Sequence, residues 1–198
     1  PKNINGIILA RDDFKLNDFL ISYCLKNKIS IFLDKQISKD IRFLNKNKKK
    51  IIKFGRIFGG SGVSYCDEFL KFKSEYKKNK FKILKIICTS KGKWLNYGQH
   101  LLDPLFDLFN FKHLDFICSK RVKNTKILET KISKISCKLI LKDSGYKDIK
   151  MEFYTNKGKK SVIFNNPYNA FSKMLINYLK KYNKINKKGF KKLFMISE

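Results

Sequence analysis

Gly6-Ile7-Ile8-Leu9-Ala10 is followed by Arg11-Asp12-Asp13. An amphipathic run follows, and then Ile29-Ser30-Ile31-Phe32-Leu33-Asp34-Lys35-Gln36. The two apolar runs are short and bounded by polar residues, the signature of strands buried on both faces. Between them Leu16, Phe19, Leu20, Tyr23 and Cys24 recur at helical spacing, with Asp12 or Asp13 available as N-cap. Strand, helix and strand in about 30 residues form a βαβ unit, with parallel strands joined by a right-handed crossover. In such a sheet ligands gather at the carboxyl ends of the strands. One end delivers Arg11, Asp12 and Asp13, which ordinary capping and surface charge explain. The other delivers Asp34-Lys35-Gln36, fixed on the rim directly after a strand.

Residues 38–50 read as a short helix and a Lys/Asn-rich turn, which places a domain boundary near 48: residues 1–48, then 49–198. Residues 51–58 read as a strand opening the second part. Gly59-Gly60-Ser61-Gly62 matches neither a P-loop nor Gly-x-Gly-x-x-Gly, and reads as a bend or close backbone approach. Residues 64–78 suggest a helix and 81–89 a strand. Residues 92–103 hold the single Trp, Trp94, and one of two His, His100. There a polar, glycine-containing entry runs into an apolar helical face of Leu101, Leu102, Leu105 and Phe106, so His100 is expected where loop becomes helix. Pro104 is expected in that helix's first turns. Strands are predicted at 114–120, 127–132, 136–142, 147–155 and 159–164, with turns at Asp143-Ser144-Gly145 and Asn156-Lys157-Gly158. Short turns between consecutive strands imply a largely antiparallel sheet. Asn166-Pro167 opens a last long helix, whose stripe from Phe171 to Tyr182 reads as core. The fold class is thus α/β: a partial Rossmann βαβ portion, then an α+β domain with an open, mixed sheet.

Charge dominates the composition. Against 16 acidic residues stand 45 basic ones, for a formal +29; four are Arg and the other 41 Lys. Phosphate and base recognition favour the bidentate Arg fork. The Lys excess is dispersed along the chain beside abundant Asn, Ile and Phe, so it reads as a solvated surface that binds nucleic acid only nonspecifically. A basic nucleic-acid-binding protein is the third functional reading. The five Cys include no Cys-x-x-Cys pair and read as reduced, buried thiols, and His100 and His113 lack partners at metal spacing. No apolar run reaches the roughly 18–20 residues needed to span a bilayer. A cytoplasmic protein is expected, with no metal and no membrane partner.

The order of these parts resembles the Gfo/Idh/MocA oxidoreductases. That family joins an N-terminal Rossmann domain to an α/β domain with an open sheet. Its Glu-Lys-Pro motif corresponds to Asp34-Lys35-Gln36 here, and its Asp-x-Gly-x-His motif to Asn96-Tyr97-Gly98-Gln99-His100, with Asp103 one turn on. The resemblance spans most of residues 5–182. It implies an NAD(P)-dependent oxidoreductase that moves a hydride to or from a sugar or nucleotide-sugar carbinol. By that resemblance His100 is the acid/base and Lys35 the orienting, electrostatic group. Asn96 stands where the family has Asp: it can hydrogen-bond but cannot take a proton or supply charge. Arg11, Asp34, Lys35 and Gln36 are the candidate contacts to NAD or NADP. Tyr65, Trp94, Tyr97 and Asp103 are the candidate substrate contacts.

The family's opening strand and Gly-x-Gly-x-x-Gly loop have no counterpart in residues 1–198. The expectation is a fragment lacking the first half of the cofactor domain, which alone binds dinucleotide poorly and is inactive; a degenerate member is the alternative. A catalytically inactive sugar-binding or interaction module of the same fold is the second functional reading. Homo-oligomerisation through the second-domain sheet is plausible by the same resemblance.

Overall fold

The computed structural model describes residues 4–10, 13–34, 36–110, 114–143, 148–182 and 184. The chain divides into two compact units, residues 1–61 with 171–198, and residues 62–170. The expected division at 48 fails for two reasons. Helix α2 (Ile41–Phe54) runs through it, and strand β3 (Ile57–Gly59) belongs to the first unit's sheet.

The first unit is built on the βαβ segment. Strand β1 (Gly6–Leu9), helix α1 (Phe14–Asn27) and strand β2 (Ser30–Leu33) form as the sequence pattern predicts. Asp13 is the N-cap, and its carboxylate accepts from the Leu16 amide at 3.2 Å. β1, β2 and β3 pair in parallel in that order. Strand alternation sends Ile31, Leu33 and Ile57 into a core shared with Ile21, Leu44 and Ile51. Phe32 and Phe58 take the opposite face. There they meet the end of helix α5 (Pro167–Leu179), with the Tyr178 ring 5.3 Å from Phe32 and 5.2 Å from Phe58. Both faces are covered at β2, every residue of which is buried, whereas β1 at the sheet's edge is only partly buried and exposes Ile8, against the expectation of a strand buried on both faces. Gly59 lies at φ 124°, and a Cβ there would fall on the Leu33 carbonyl. The Gly60 amide donates to that same oxygen at 3.2 Å. The glycine-rich stretch is therefore a close backbone approach.

The expected strand at 51–58 is displaced. Residues 51–54 finish α2, whose stripe Leu44, Asn47, Ile51 is buried, and Gly55 caps it at φ 64°.

The second unit opens with a 3-10 turn, Gly62–Tyr65, and helix α3 (Asp67–Lys77). Strand β4 (Ile83–Lys91) and helix α4 (Trp94–Leu108) follow. Strands β5 (Leu114–Val122), β6 (Thr125–Ile132), β7 (Ile135–Lys142), β8 (Ile149–Thr155) and β9 (Gly158–Phe164) complete it. The sheet runs β5-β6-β7-β4-β8-β9, with β4 and β7 parallel and all other neighbours antiparallel. The predicted mixed, largely antiparallel sheet is thus the observed one. The turn read at Asp143-Ser144-Gly145 falls largely outside the described residues, whereas Gly158 makes its turn at φ 94°.

α3 and α4 cover one face of this sheet. Phe72 stacks on Phe153 at 4.0 Å, and Leu101 and Leu105 pack inward with Ile86, Leu139 and Met151 buried beneath. The face opposite α3 and α4 carries a charged ladder. Glu152 accepts from Lys150 at 2.9 Å and pairs with Lys159, while Glu129 sits between Lys120 and Lys138 at 3.3 and 3.9 Å. Four of the five thiols are buried, as their apolar contexts predict, and Cys118 is half-buried.

Candidate functional site

The site residues of the second unit are organised by α4. Gly92, at φ 82°, turns the chain out of β4, and its amide donates to the Lys142 carbonyl at 2.8 Å. The Asn96 and Tyr97 amides then close the first turn on the Lys93 carbonyl, at 3.1 and 3.0 Å. Because the helix begins at Trp94, His100 stands inside it and not at the loop junction that the sequence suggests.

Each small residue in this stretch has a steric reason. A Cβ on Gly92 would strike the Tyr97 ring, and one on Gly98 would lie 2.8 Å from Trp94 Cδ2. Gly98 is therefore the seat of the indole, which folds back over the helix. Lys126 Nζ stands 5.9 Å from the centre of that ring, a cation–π arrangement. The Tyr97 and His100 rings are 5.9 Å apart, tilted by 58°. Asn96 precedes His100 by four residues, which places both on one side of the helix. Asn96, Tyr97 and His100 are half-buried, as is Tyr65 in the 3-10 turn. This cluster of amide, phenol and imidazole can hydrogen-bond a hydroxylated ligand and accept a proton.

Asp103 behaves differently from the reading as a substrate contact. It is 0% exposed, and the Ser64 hydroxyl donates to its Oδ2 at 2.6 Å. A carboxylate so enclosed acts by fixing the 3-10 turn against α4, and with it the position of Tyr65. Sequence reasoning missed Ser64 because 39 residues separate the two and nothing local marks the pairing.

Pro104 also departs from expectation, since it lies well beyond the first turn of α4. A proline nitrogen cannot donate to the carbonyl four residues back, which here is that of His100. The bond between Ser64 and Asp103 pins the residue immediately before this break.

In the first unit, Asp34 and Gln36 follow β2 at the carboxyl edge of the parallel sheet, as expected. The Asp34 amide continues the ladder by donating to the Leu9 carbonyl at 3.1 Å. Asp34 is half-buried and Gln36 is 7% exposed. Lys35 and Arg11 lie outside the described residues, as does His113. Both helices that start at this edge already carry carboxylate caps. Asp13 caps α1, and Asp40 caps α2 by accepting from the Arg42 amide at 2.8 Å. Among the described residues no group of three or more His, Cys, Asp or Glu could hold a metal ion, and no helix is long and apolar enough to cross a membrane.

No protein-family model matches the sequence, and no curated sequence matches it either. Solved structures do match. A myo-inositol dehydrogenase from Corynebacterium glutamicum aligns over 98% of this chain and 76% of its own, with TM-score 0.72 and 14% identity. A probable dehydrogenase from Thermotoga maritima aligns over 98% and 76%, with TM-score 0.77 and 13% identity. The WlbA (WbpB) dehydrogenase from Thermus thermophilus, crystallised with NAD and UDP-GlcNAcA, aligns over 98% and 71%, with TM-score 0.72 and 12% identity.

Proposed function

We propose that this chain, which has the fold of the Gfo/Idh/MocA-type dehydrogenases, serves the oxidation or reduction of a sugar or nucleotide-sugar carbinol. The observation that carries the reading is the α4 cluster. His100 is held beside Tyr97, one turn from Asn96, on a helix anchored by the buried pair of Ser64 and Asp103.

In this reading the His100 imidazole takes the carbinol proton during oxidation and returns it during reduction. Asn96 holds the hydroxyl by hydrogen bonding and leaves the proton work to His100 alone. Tyr97, Tyr65 and the Trp94 face orient the ring of the ligand. Lys35 supplies positive charge toward a developing alkoxide, and Arg11, Asp34 and Gln36 contact the cofactor.

NAD or NADP is the hydride acceptor the fold implies, and one solved relative was crystallised with NAD. A dinucleotide pyrophosphate is best held at a helix N-terminus with free amides. The N-termini of α1 and α2 are taken by Asp13 and Asp40, whose charge opposes an anion there. These two helix starts therefore do not fit a pyrophosphate, and the chemistry above is confined to the proton and the hydroxyl.

Those same caps favour a second reading, a module of this fold that binds sugars without turnover. Turnover decides between the two. The dehydrogenase reading expects a form of the protein that also carries a glycine-rich dinucleotide loop to oxidise a cyclic polyol or nucleotide sugar with NAD or NADP, about 10²–10⁴-fold more slowly after His100→Ala. Saturable sugar binding with no turnover, unchanged by that substitution, leaves the binding module. A second copy of the chain, joined through the sheet of the second unit, is the proposed partner, and sedimentation of the purified protein tests it.

A further inference from the structure

We propose that the first unit carries a second binding site, at the amino-terminal edge of its parallel sheet, for a small phosphate ester with an apolar body. It lies at the opposite end of the strands from Asp34 and Gln36. The C-terminal ends of α1 and α2 meet there, each closed by a left-handed residue, Lys28 at φ 58° and Gly55 at φ 64°. Between them is a cavity of about 770 Å³, within the size range of ligand pockets.

Its lining is chemically one-sided. Lys26, Lys28, Lys50, Lys53 and Arg56 surround it, and no carboxylate does. Leu25 and Phe54, both half-buried, supply the apolar surface. None of the five cations forms an ion pair among the described residues. Two helix C-termini contribute roughly half a negative charge each, which leaves a net of about +4 around the cavity. That excess is what a phosphate monoester or diphosphate neutralises. Arg56 is the half-buried member, and its planar fork suits a phosphate oxygen pair better than an ammonium does. A smaller cavity of about 200 Å³ adjoins through Lys28 and Arg56, so Arg56 lies between the two.

A solvated lysine face is the competing explanation, but three features separate this site from one. The cations converge on a concave space. The space has an apolar surface. Elsewhere in the chain lysines of similar exposure are engaged by carboxylates. A nucleic acid is tracked by an extended stripe with stacking side chains, not by a single depression.

Fluorescence titration of the intact chain with 1-naphthyl phosphate, at about 100 mM salt to suppress nonspecific attraction, tests the site. Saturable binding is expected, weakened about tenfold or more by Arg56→Ala and by the double change Lys50→Glu with Lys53→Glu. 1-Naphthol and inorganic phosphate should each bind at least about tenfold more weakly than the ester, because each offers half of the recognition. The charge-matched change Lys77→Glu with Lys78→Glu, on the other unit, should alter affinity by less than about twofold. His100→Ala should leave it unchanged, so the outcome is independent of the proposed dehydrogenase chemistry. Three results overturn the site. One is no saturable binding of the ester below about 10 mM. Another is equal loss from the charge-matched control. The third is a single-stranded oligonucleotide that binds and is not displaced by the ester.

Discussion

The two units of this chain treat the same excess of lysine in opposite ways. In the mixed-sheet unit lysines are laced into carboxylates: Lys150 and Lys159 on Glu152, Lys120 and Lys138 on Glu129, Lys160 on Glu75 and Lys73 on Asp107. In the parallel-sheet unit five cations converge on a cavity with no carboxylate in its lining. Net charge alone does not separate these cases, because the sequence is basic throughout. What separates them is placement. Antiparallel register sets opposite charges on adjacent strands, as with Glu129 and Lys138, and so neutralises them locally. Helix ends have no such register and leave their cations to solvent or to a ligand.

The contrast can be broken in several places. The largest effect follows from the proposed dehydrogenase chemistry: in a form that carries a dinucleotide loop, His100→Ala is expected to lower turnover about 10²–10⁴-fold, and turnover that survives removes the acid/base from the mixed-sheet unit. Next is Ser64→Ala, which strips a buried hydroxyl from the Asp103 carboxylate and should cost about 1.5–3 kcal/mol by denaturant unfolding. Gly59→Ala forces a side chain into a φ of 124° and onto the Leu33 carbonyl, for about 1–3 kcal/mol lost from the parallel-sheet unit.

Acid should also tell the units apart. Hydrogen bonds from Lys159 and Lys150 hold the Glu152 carboxyl below its ordinary 4.5, and Lys120 and Lys160 do the same for Glu129 and Glu75. Groups with lowered values stabilise above 4.5, and that contribution is lost as pH falls through the folded value. Asp18, in the first unit, is shifted the other way: burial raises it above its ordinary 3.8, against the Ser38 hydrogen bond, with Asp40 adding to the rise. Its folded form binds a proton first, so acidification relieves a cost there. Hydrogen exchange followed from pH 6 down to about 3.5 should therefore show protection falling in β6, β8 and β9 before α1. The reverse order would sink the assignment.

The smallest effects carry opposite signs. Glu152→Gln should destabilise by up to about 1 kcal/mol at low salt, whereas Lys53→Glu should leave stability unchanged or slightly raised by relieving repulsion. Thermal melts with and without salt read both.

Much of this was legible beforehand, and the failures have physical causes. The βαβ unit is plain because both strands are short apolar runs, although only β2 is buried throughout and β1, at the edge, is not. Helix α2 was cut short because Asn47, a buried polar residue, interrupts its stripe between Leu44 and Ile51, and a Lys/Asn run imitates a loop. The return of residues from Phe171 onward to the first unit is a long-range event: the stripe announced a core helix but not which core. At the proposed site, the pattern of residues 92–103 does run into a helix, α4. It misplaced His100 and Pro104, because the glycine that resembled a loop entry, Gly98, is a helical seat for Trp94. Asp103 reads as a contact only by the resemblance, as the acidic residue one turn past His100, and the hydroxyl partner that buries it lies 39 residues upstream.

Pro104 has a consequence for motion. The turn beginning at His100 lacks one rung of the helical ladder that its neighbours keep. Residues 101–106 of that turn are all buried, so side-chain packing and not the ladder alone holds it. The imidazole is thus mounted where packing takes over from a missing backbone bond. Asp103, tied to Ser64 immediately before the proline, is part of what holds that turn in place.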